Sequence, residues 1–333
     1  MSIAGSQKKE GKYINLEPTP DGFDNLFKII KENINNKAEN TPHKRLGPFH
    51  TDKSIYDTPP ADGLRITLIG HSSLIIEIDG KRILTDPVWS ERVSFTQRMG
   101  PKRFFAPPIA LQDLPKLDAV ILSHDHYDHL DKATIQHLAK ANPQLPFFTS
   151  MGVGKYLAQF GVAKNFITEM DWGDSAMIDN QIVITATPSR HFSGRGMFNR
   201  NETLWSSFVI KGPQHNIFFG ADSGYFDVFK DIGNIFGPFD LTMLEIGAYG
   251  QYWADIHMGP DHASNAHLDL KGKVMMPIHW GTFNLAPHAW YEPIERLVKF
   301  AEQKNIDLFV PSPGLPTDVQ ANYNSNWWKP FMG

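Results

Sequence analysis

The 333-residue sequence contains no cysteine, which excludes disulfide bonds and thiolate metal sites. It has no run approaching the roughly 20 consecutive apolar residues that a transmembrane helix needs. Residues 1–9 lack the apolar core of a signal peptide. We therefore expect a cytoplasmic protein, and peripheral contact with a membrane surface stays open as an alternative.

A strong excess of charge of one sign is also absent. The chain has 32 Lys and Arg against 36 Asp and Glu, a formal net charge of -4, and the two signs are well mixed. This balance excludes the electrostatic footprint of a nucleic-acid binder. The length is ample for a buried core in a large domain.

What the sequence does have is a dense cluster of metal-ligand residue types in residues 123–131. The cluster has the spacing H-x-H-x-D-H and consists of His124, His126, Asp128 and His129. The preceding apolar run 117–122 predicts a buried strand, so the cluster lies on the loop that leaves it. In an extended loop, residues two apart point the same way, so the first two histidines can reach one cation and the last two residues a second point. Imidazole and carboxylate are ligands of zinc.

Residues 1–62 are predicted to be an extension of a domain that spans 63–333. Apolar residues at helical spacing predict one amphipathic helix over 22–35, which packs on the main domain or serves as a membrane or partner surface. The polar, proline-containing segment 36–62 is predicted to be a loop that wraps the domain.

Short apolar segments after residue 63 predict strands that begin with a hairpin and then alternate with helices. The predicted strands are 64–69, 74–78, 82–85, 118–122, 182–187, 206–211, 216–219, 240–244, 274–277 and 307–310. The predicted helices are 131–141, 152–160, 262–270 and 293–304. Asp79 and Gly80 predict the hairpin turn, Asp131 a helix cap, and Pro293 a first helical turn. This order predicts mixed sheets covered by helices.

Three further ligand candidates stand at the exits of predicted strands. His191 follows the strand at 182–187, Asp222 follows that at 216–219, and His279 follows that at 274–277. A small or turn-forming residue flanks each of them, as close approach of the backbone to a metal requires.

Taken together, these motifs resemble the metallo-β-lactamase superfamily. The resemblance implies an α/β (α+β) fold, an αββα sandwich of two mixed β-sheets flanked by helices, with a binuclear centre at one edge. It implies a first metal on His124, His126 and His191, a second on Asp128, His129 and His279, and Asp222 between them opposite a bridging water or hydroxide. The iron-binding redox branch usually has Glu where His126 stands, so two zinc ions are expected, with iron or manganese as alternatives.

Longer motifs are similar to the N-acylphosphatidylethanolamine-hydrolysing phospholipase D family. They lie at 99–104, 123–131, 236–241, 246–249 and 278–283, and the likeness runs from about residue 65 to 312. His71, Asp86 and His257 match family positions near the site. The resemblance implies a phospholipid or other phosphodiester as the substrate, and a homodimer.

Four residues around the cluster have two interpretations each. Asp86 either ends a strand in a turn or orients a ligand imidazole. His71 either is a purely structural residue or forms a hydrogen bond in the core near the metals. His257 either has no role or contacts the substrate phosphate, and Tyr127 either packs or donates a hydrogen bond to a leaving oxygen.

The predicted function is a binuclear zinc phosphodiesterase that uses a metal-bridging hydroxide, with Asp222 and Asp128 in the catalytic machinery and Tyr127 or His257 assisting the departing alkoxide. A lactonase or a soluble phosphodiesterase on the same site is the alternative within the enzymes. A metal-binding protein without turnover is the alternative outside them, although structural zinc sites are usually closed. The loop at 98–111 mixes basic and bulky apolar residues, so it either meets a lipid or packs on the sandwich.

Overall fold

The computed structural model describes residues 3–19, 37–196 and 198–333. The amphipathic helix predicted at 22–35 lies outside the described residues. The strands are β1 Gln7–Lys9, β2 Lys12–Ile14, β3 Leu64–Gly70, β4 Ser73–Ile78, β5 Lys81–Thr85, β6 Ala119–Leu122, β7 Phe147–Ser150, β8 Ile167–Met170, β9 Ser175–Ile178, β10 Ile182–Pro188, β11 Ser206–Lys211, β12 Asn216–Phe219, β13 Phe239–Glu245, β14 Gly272–Ile278, β15 Asp307–Val310, β16 Thr317–Asp318 and β17 Tyr323–Asn324. The α-helices are α1 Lys132–Ala141, α2 Gly154–Gln159, α3 Val228–Ile235, α4 Pro260–Asp269 and α5 Glu292–Lys304.

Two mixed sheets carry the fold, beside a small hairpin of β1 and β2. The first sheet has seven strands in the order β16-β3-β4-β5-β6-β7-β8, and the second has eight in the order β17-β15-β14-β13-β12-β11-β10-β9. Each large sheet begins with antiparallel hairpins and continues with parallel strands. The parallel connections between β6 and β7 and between β13 and β14 contain helices.

The alternation of side chains along the strands explains why both sheets are covered on two faces. On β6, Ala119 and Ile121 belong to the core between the sheets, whereas Val120 and Leu122 pack beneath α1 and α2. Helices α3, α4 and α5 cover the outer face of the second sheet in another core. The layers are therefore helix, sheet, sheet and helix, which confirms the predicted αββα sandwich.

Local chemistry places several turns and caps as predicted. The hairpin between β4 and β5 turns at Asp79 and Gly80, whose φ angles of 49° and 82° suit an Asp-Gly turn. The Asp131 side chain accepts a hydrogen bond from the backbone N–H of Ala133 and caps α1. Pro293 lies in the first turn of α5.

Other elements were not predicted. Strands β7, β8 and β9 have only four residues each, too few for a clear period, and α3 has eight. Within the described part of 36–62, the segment makes backbone hydrogen bonds to the loop after β5, from Leu46 to Phe104 and from Thr51 to Pro108. A 3-10 helix at Lys53–Asp57 is its regular element.

Among the described residues, no helix has both the length and the apolar character needed to cross a membrane. Two short strands near the end of the sequence extend both sheets. β16 pairs with β3 of the first sheet, and β17 pairs with β15 of the second. Trp327 and Trp328, which follow them, are buried in the core beneath the helices of the second sheet.

Candidate metal centre

The loop after β6 carries the first set of metal-donor residues, the side chains that could bind a metal. A buried carboxylate behind this loop fixes its shape. Asp86 accepts hydrogen bonds from the Ser123 backbone N–H at 2.8 Å and from the Ser123 hydroxyl at 2.6 Å. Its Oδ2 lies 2.7 Å from Nδ1 of His129. Because a carboxylate only accepts, Nδ1 of His129 carries the hydrogen and Nε2 is left for a metal. The geometry is that of a carboxylate orienting an imidazole.

The second sheet carries the remaining donors at the ends of separate strands. His191 follows β10, Asp222 follows β12, Glu245 ends β13 and His279 follows β14. β12, β13 and β14 are parallel neighbours, and β10 runs in the same direction beyond β11. Their carboxyl ends therefore meet the loop after β6.

The donors form groups whose ligand atoms lie within 4.8 Å of one another. The first group is His124, His126, His191 and Asp222, and the second is His71, Asp128, His129 and His279. Asp222 also reaches the second group, because Oδ2 lies 3.1 Å from Nε2 of His129 and Oδ1 lies 3.1 Å from Nε2 of His279. The structure thus brings together all the ligand candidates named from the sequence and places Asp222 between the groups.

His71 and His257 also lie at the centre. His71 is buried, and its Nε2 is 3.0 Å from Oδ2 of Asp128, so it lies beside the donors rather than elsewhere in the core. His257 belongs to a third group with Asp222, Glu245 and His279. Its Nδ1 donates to Oε2 of Glu245 at 2.8 Å.

Tyr127 lies at the rim with its hydroxyl engaged. The hydroxyl donates to the backbone carbonyl of Arg195 at 3.0 Å, and the Arg195 guanidinium lies 4.0 Å from the centre of the tyrosine ring. A phenol has one hydrogen to donate, so this geometry fits the packing interpretation rather than donation to a leaving oxygen.

Two acidic residues of the centre were not identified from the sequence. Glu245 is fully buried and also accepts from the backbone N–H of Ser223, next to Asp222. A lone carboxylate at the end of an apolar strand was the signal, since a buried acid needs a partner. Asp125, inside the H-x-H-x-D-H loop, accepts from Gly194 N–H at 2.7 Å and from the Thr203 hydroxyl at 3.0 Å. It holds the loop after His191.

Burial and charge shift the titration of these groups. Burial lowers the pKa of His71 to about 3 and that of His126 to about 4. Burial opposes protonation of His279 too, but the carboxylates of Asp222 and Asp128 raise its pKa to about 10. Against its own desolvation, Asp222 keeps a pKa well below the usual range because His129 and His279 stabilise its charge. Asp222 is therefore ionised, and protons on His129 and His279 balance its charge; a cation bound by these residues would take the place of those protons.

The donor atoms themselves test whether a metal fits. Within the described chain, the buried atoms Nε2 of His129, Nε2 of His279 and Oδ1 of Asp222 make no hydrogen bond. Such atoms are costly unless something else binds them. Neutral imidazole and ionised carboxylate are the ligands that zinc and similar cations take. The residues therefore fit a divalent metal.

Comparisons with known proteins agree with this fold. The sequence profile of the beta-lactamase superfamily domain matches residues 81–280. An uncharacterized protein of Mycobacterium tuberculosis is 41% identical over 330 residues, covering 96% of this chain and 87% of that protein. The N-acyl-phosphatidylethanolamine-hydrolyzing phospholipase D 1 of Caenorhabditis elegans is 35% identical, covering 85% of this chain and 83% of that enzyme. The structure of Igni18, a metallo hydrolase from Ignicoccus hospitalis, shares the fold with a TM-score of 0.59 and 24% identity, covering 77% of this chain and 98% of that one.

A two-sheet sandwich with clustered histidines and aspartates at its strand ends defines a metal-dependent hydrolase, in agreement with these relatives. The chain belongs to the metallo-β-lactamase superfamily, and within it resembles the N-acylphosphatidylethanolamine-hydrolysing phospholipase D family.

Proposed function

We propose that this hydrolase is a dizinc phosphodiesterase that cleaves a phospholipid in the manner of an N-acylphosphatidylethanolamine phospholipase D. The observation that carries the proposal is the pair of donor groups that share Asp222. The likeness to the nematode phospholipase D, which covers 83% of that enzyme, supports the choice of a phosphodiester over other substrates.

In this proposal, His124, His126 and His191 would hold the first cation and Asp128, His129 and His279 the second, with Asp222 able to reach both. When bound, the two divalent cations would supply a water of lowered pKa and neutralise the charge that develops on a phosphoryl group.

The protein's own groups orient the reaction. Asp222, held by His129 and His279, accepts a hydrogen bond from the attacking water and fixes its direction. Glu245 holds the Nδ1 hydrogen of His257, so Nε2 is the atom left to contact the substrate phosphate or the departing alkoxide. The His257 ring lies 4.9 Å from that of His191 and 5.4 Å from that of His279, between centroids, which places it beside both groups.

The partly exposed donors indicate where the substrate enters. His126, Asp128 and His257 are partly exposed, whereas the remaining donors are buried. Substrate therefore reaches the centre from the side of the loop after β6. Asp128 also lies between His71 and His279, which holds its carboxylate toward the entrance.

The surface beside the loop after β6 supports a lipid substrate. A cavity of about 490 Å³ lies next to Tyr127, and its wall includes residues of α1 and α2, residues between 90 and 97 of the loop after β5, and Arg195, Gly196 and Asn199 of the loop after β10. Phe95 and Phe198 on these loops are 76% and 86% exposed, and Met99 is 62% exposed. Exposed aromatic residues beside arginines suit an interface with acyl chains and anionic head groups. By contrast, Phe104 and Phe105 are buried, so the later part of the 98–111 loop packs on the sandwich.

Metal content measured together with turnover of a substrate panel tests the proposal. The panel sets bis(p-nitrophenyl) phosphate and N-acylphosphatidylethanolamine against a lactone, and elemental analysis separates zinc from iron and manganese. We expect near two zinc ions per chain and cleavage of the lipid. Two metals with turnover of the lactone alone would discard the lipid, and absence of both metal and turnover would contradict an enzyme.

A further inference from the structure

The backbone of His191 has an unusual source of hydrogen bonds. The imidazole is fixed by Nδ1, which donates to the carbonyl of Ile256 at 2.9 Å, so that Nε2 faces Nδ1 of His126 at 3.2 Å. His191 comes after the end of β10, beyond the ladder that would have satisfied its backbone groups. Both of those groups instead bind one side chain from the beginning of the chain, that of Asn15.

The carboxamide of Asn15 uses its full hydrogen-bonding capacity at this point. Oδ1 accepts from the His191 backbone N–H at 3.1 Å and from the indole N–H of Trp205 at 3.1 Å. Nδ2 donates to the His191 carbonyl at 2.8 Å and to the Thr19 hydroxyl at 2.8 Å. An amide can make two bonds of each kind, and a carboxylate of the same shape lacks both donors. The Asn15 side chain thus supplies the two backbone hydrogen bonds that a neighbouring strand would otherwise give to His191.

The segment that carries Asn15 is hydrogen-bonded to residues that come before and after His191 in the sequence. Before Asn15, the Tyr13 backbone N–H donates to the carbonyl of Asn201 at 2.8 Å, and its side chain is buried with Trp172 and Trp205. These contacts fix residues 13–19 against the segment that carries His191.

On the other side, the Arg190 guanidinium donates to the carbonyl of Pro18 at 2.6 Å and to Asp255 at 2.9 Å. The backbone of Arg190 is bonded in turn to the segment after Asp222, with its N–H donating to the Ser223 hydroxyl at 2.9 Å. A displacement of this segment would therefore shift two members of the first group, His191 and Asp222.

We propose that Asn15 is a positioning residue of the metal centre, which holds the His191 imidazole in place for the first cation. Residues 13–19 are then part of the centre, although they lie outside the residues 81–280 matched by the superfamily profile. The inference rests on the proposed function, since it assumes that the donor groups bind metal.

The matched comparison is Asn15→Asp against Asn216→Asp. Asn216 also donates two side-chain hydrogen bonds to carbonyls, at 2.7 and 2.9 Å, but at the opposite end of β12 from Asp222. Zinc affinity of the full-length chain is measured by competition with a chelator that resolves two binding steps. Thermal unfolding of the metal-free protein is recorded beside it, and Asn15→Ala serves as a second variant.

We expect Asn15→Asp to weaken one of the two zinc steps by about 10–100-fold, the usual effect of losing a group that orients a ligand. The other step should stay within about threefold, and Asn216→Asp should lower the unfolding temperature without changing either step. Unchanged affinities in both Asn15 variants overturn the inference, as does an equal weakening of both steps that follows the loss of stability. A wild-type chain that binds no zinc overturns the proposed function together with this inference, so the two failures are distinguishable.

Discussion

The two sheets contribute to the metal centre in different ways. The first sheet supplies a cluster of donors from one loop of nine residues, 123–131, braced from behind by Asp86. The second sheet supplies single metal-ligand candidates from the ends of separate strands, namely His191, Asp222 and His279, with Glu245 at the end of β13 beside them. A local motif depends on one turn, whereas dispersed donors depend on the register of the whole sheet.

Both sheets turn sharply where they meet the centre. Non-glycine residues with left-handed φ angles occur at these strand ends, at 60° for His71, 34° for Asp86, 49° for Ala221 and 62° for His279. Such conformations are costly for residues with a Cβ and persist where the surroundings determine them. The turns that carry Asp222 and His279 are therefore strained, as are His71 and Asp86 beside the ligand candidates of the first sheet.

The largest loss of activity is expected from replacing Asp222, because this residue of the second sheet contacts both metal-donor groups. Replacing Asp222 by Ala should lower kcat by at least about 10³-fold, because both the contact to His129 and that to His279 are lost with the water-orienting carboxylate. Steady-state kinetics with a phosphodiester measures the loss. Asp240→Ala, at the opposite end of the second sheet, is the control. Rates like those of the wild type in the Asp222 variant would overturn the assignment.

The second largest effect is expected at Asp86, which orients His129 of the first sheet. Asp86→Asn should weaken metal binding about 10–100-fold, because the carboxylate that holds Nδ1 of His129 is replaced by an amide. Titration of the metal-free protein with zinc measures the change. Asp118→Asn removes a partly exposed carboxylate at the other end of β6 and should leave the affinity unchanged. Equal affinities in the two variants would mean that the loop keeps its shape without Asp86.

Glu245 tests whether the second sheet has a role beyond metal binding. Glu245→Gln should lower kcat by about 10-fold or more while zinc content stays near that of the wild type, because the amide cannot stabilise a proton on His257. Separate measurement of kcat, KM and bound zinc distinguishes this from loss of metal. A loss of zinc in parallel with kcat would make Glu245 a support of Asp222 instead.

A buried histidine beneath the second sheet should affect stability rather than activity. His267, whose Nδ1 lies 2.8 Å from the hydroxyl of Thr242, has its pKa lowered by burial from 6.5 to about 4. The unfolded chain then binds a proton that the folded chain excludes, so this contribution to stability is complete above pH 6.5 and is lost as the pH falls toward 4. The free energy of unfolding should decline by up to about 1.4 kcal/mol per pH unit from this group.

Urea unfolding of the wild type and of His267→Gln, at several pH values between 7.5 and 5, measures this slope as the difference between the two proteins. Both proteins carry the same metal centre, so its own pH dependence cancels. Parallel pH dependences would show that His267 is protonated in the folded protein.

The mixed sheets and most of the metal-ligand candidates could be predicted because they leave local signals, whereas the sandwich arrangement followed from the family resemblance. His124 to His129 form a compact pattern, and His191, Asp222 and His279 each follow an apolar strand directly. Glu245 could not be identified with the same ease, since it lies within the apolar run that ends β13 and its partners come from elsewhere. Asn15 left no signal at all, because its role arises from a contact 176 residues along the chain. Strands β7 to β9 were missed because four residues carry too little pattern.

The short strands β16 and β17 give the sequence after residue 316 a role in preventing aggregation. β16 covers the outer side of β3 and β17 covers that of β15, so each sheet gains its last partner from this segment. During synthesis, both sheets therefore keep an unpaired flank after the donor residues have already left the ribosome. An unpaired strand is a template for pairing with another chain. Chains shortened before residue 317 should thus aggregate even though they contain the complete set of metal ligands.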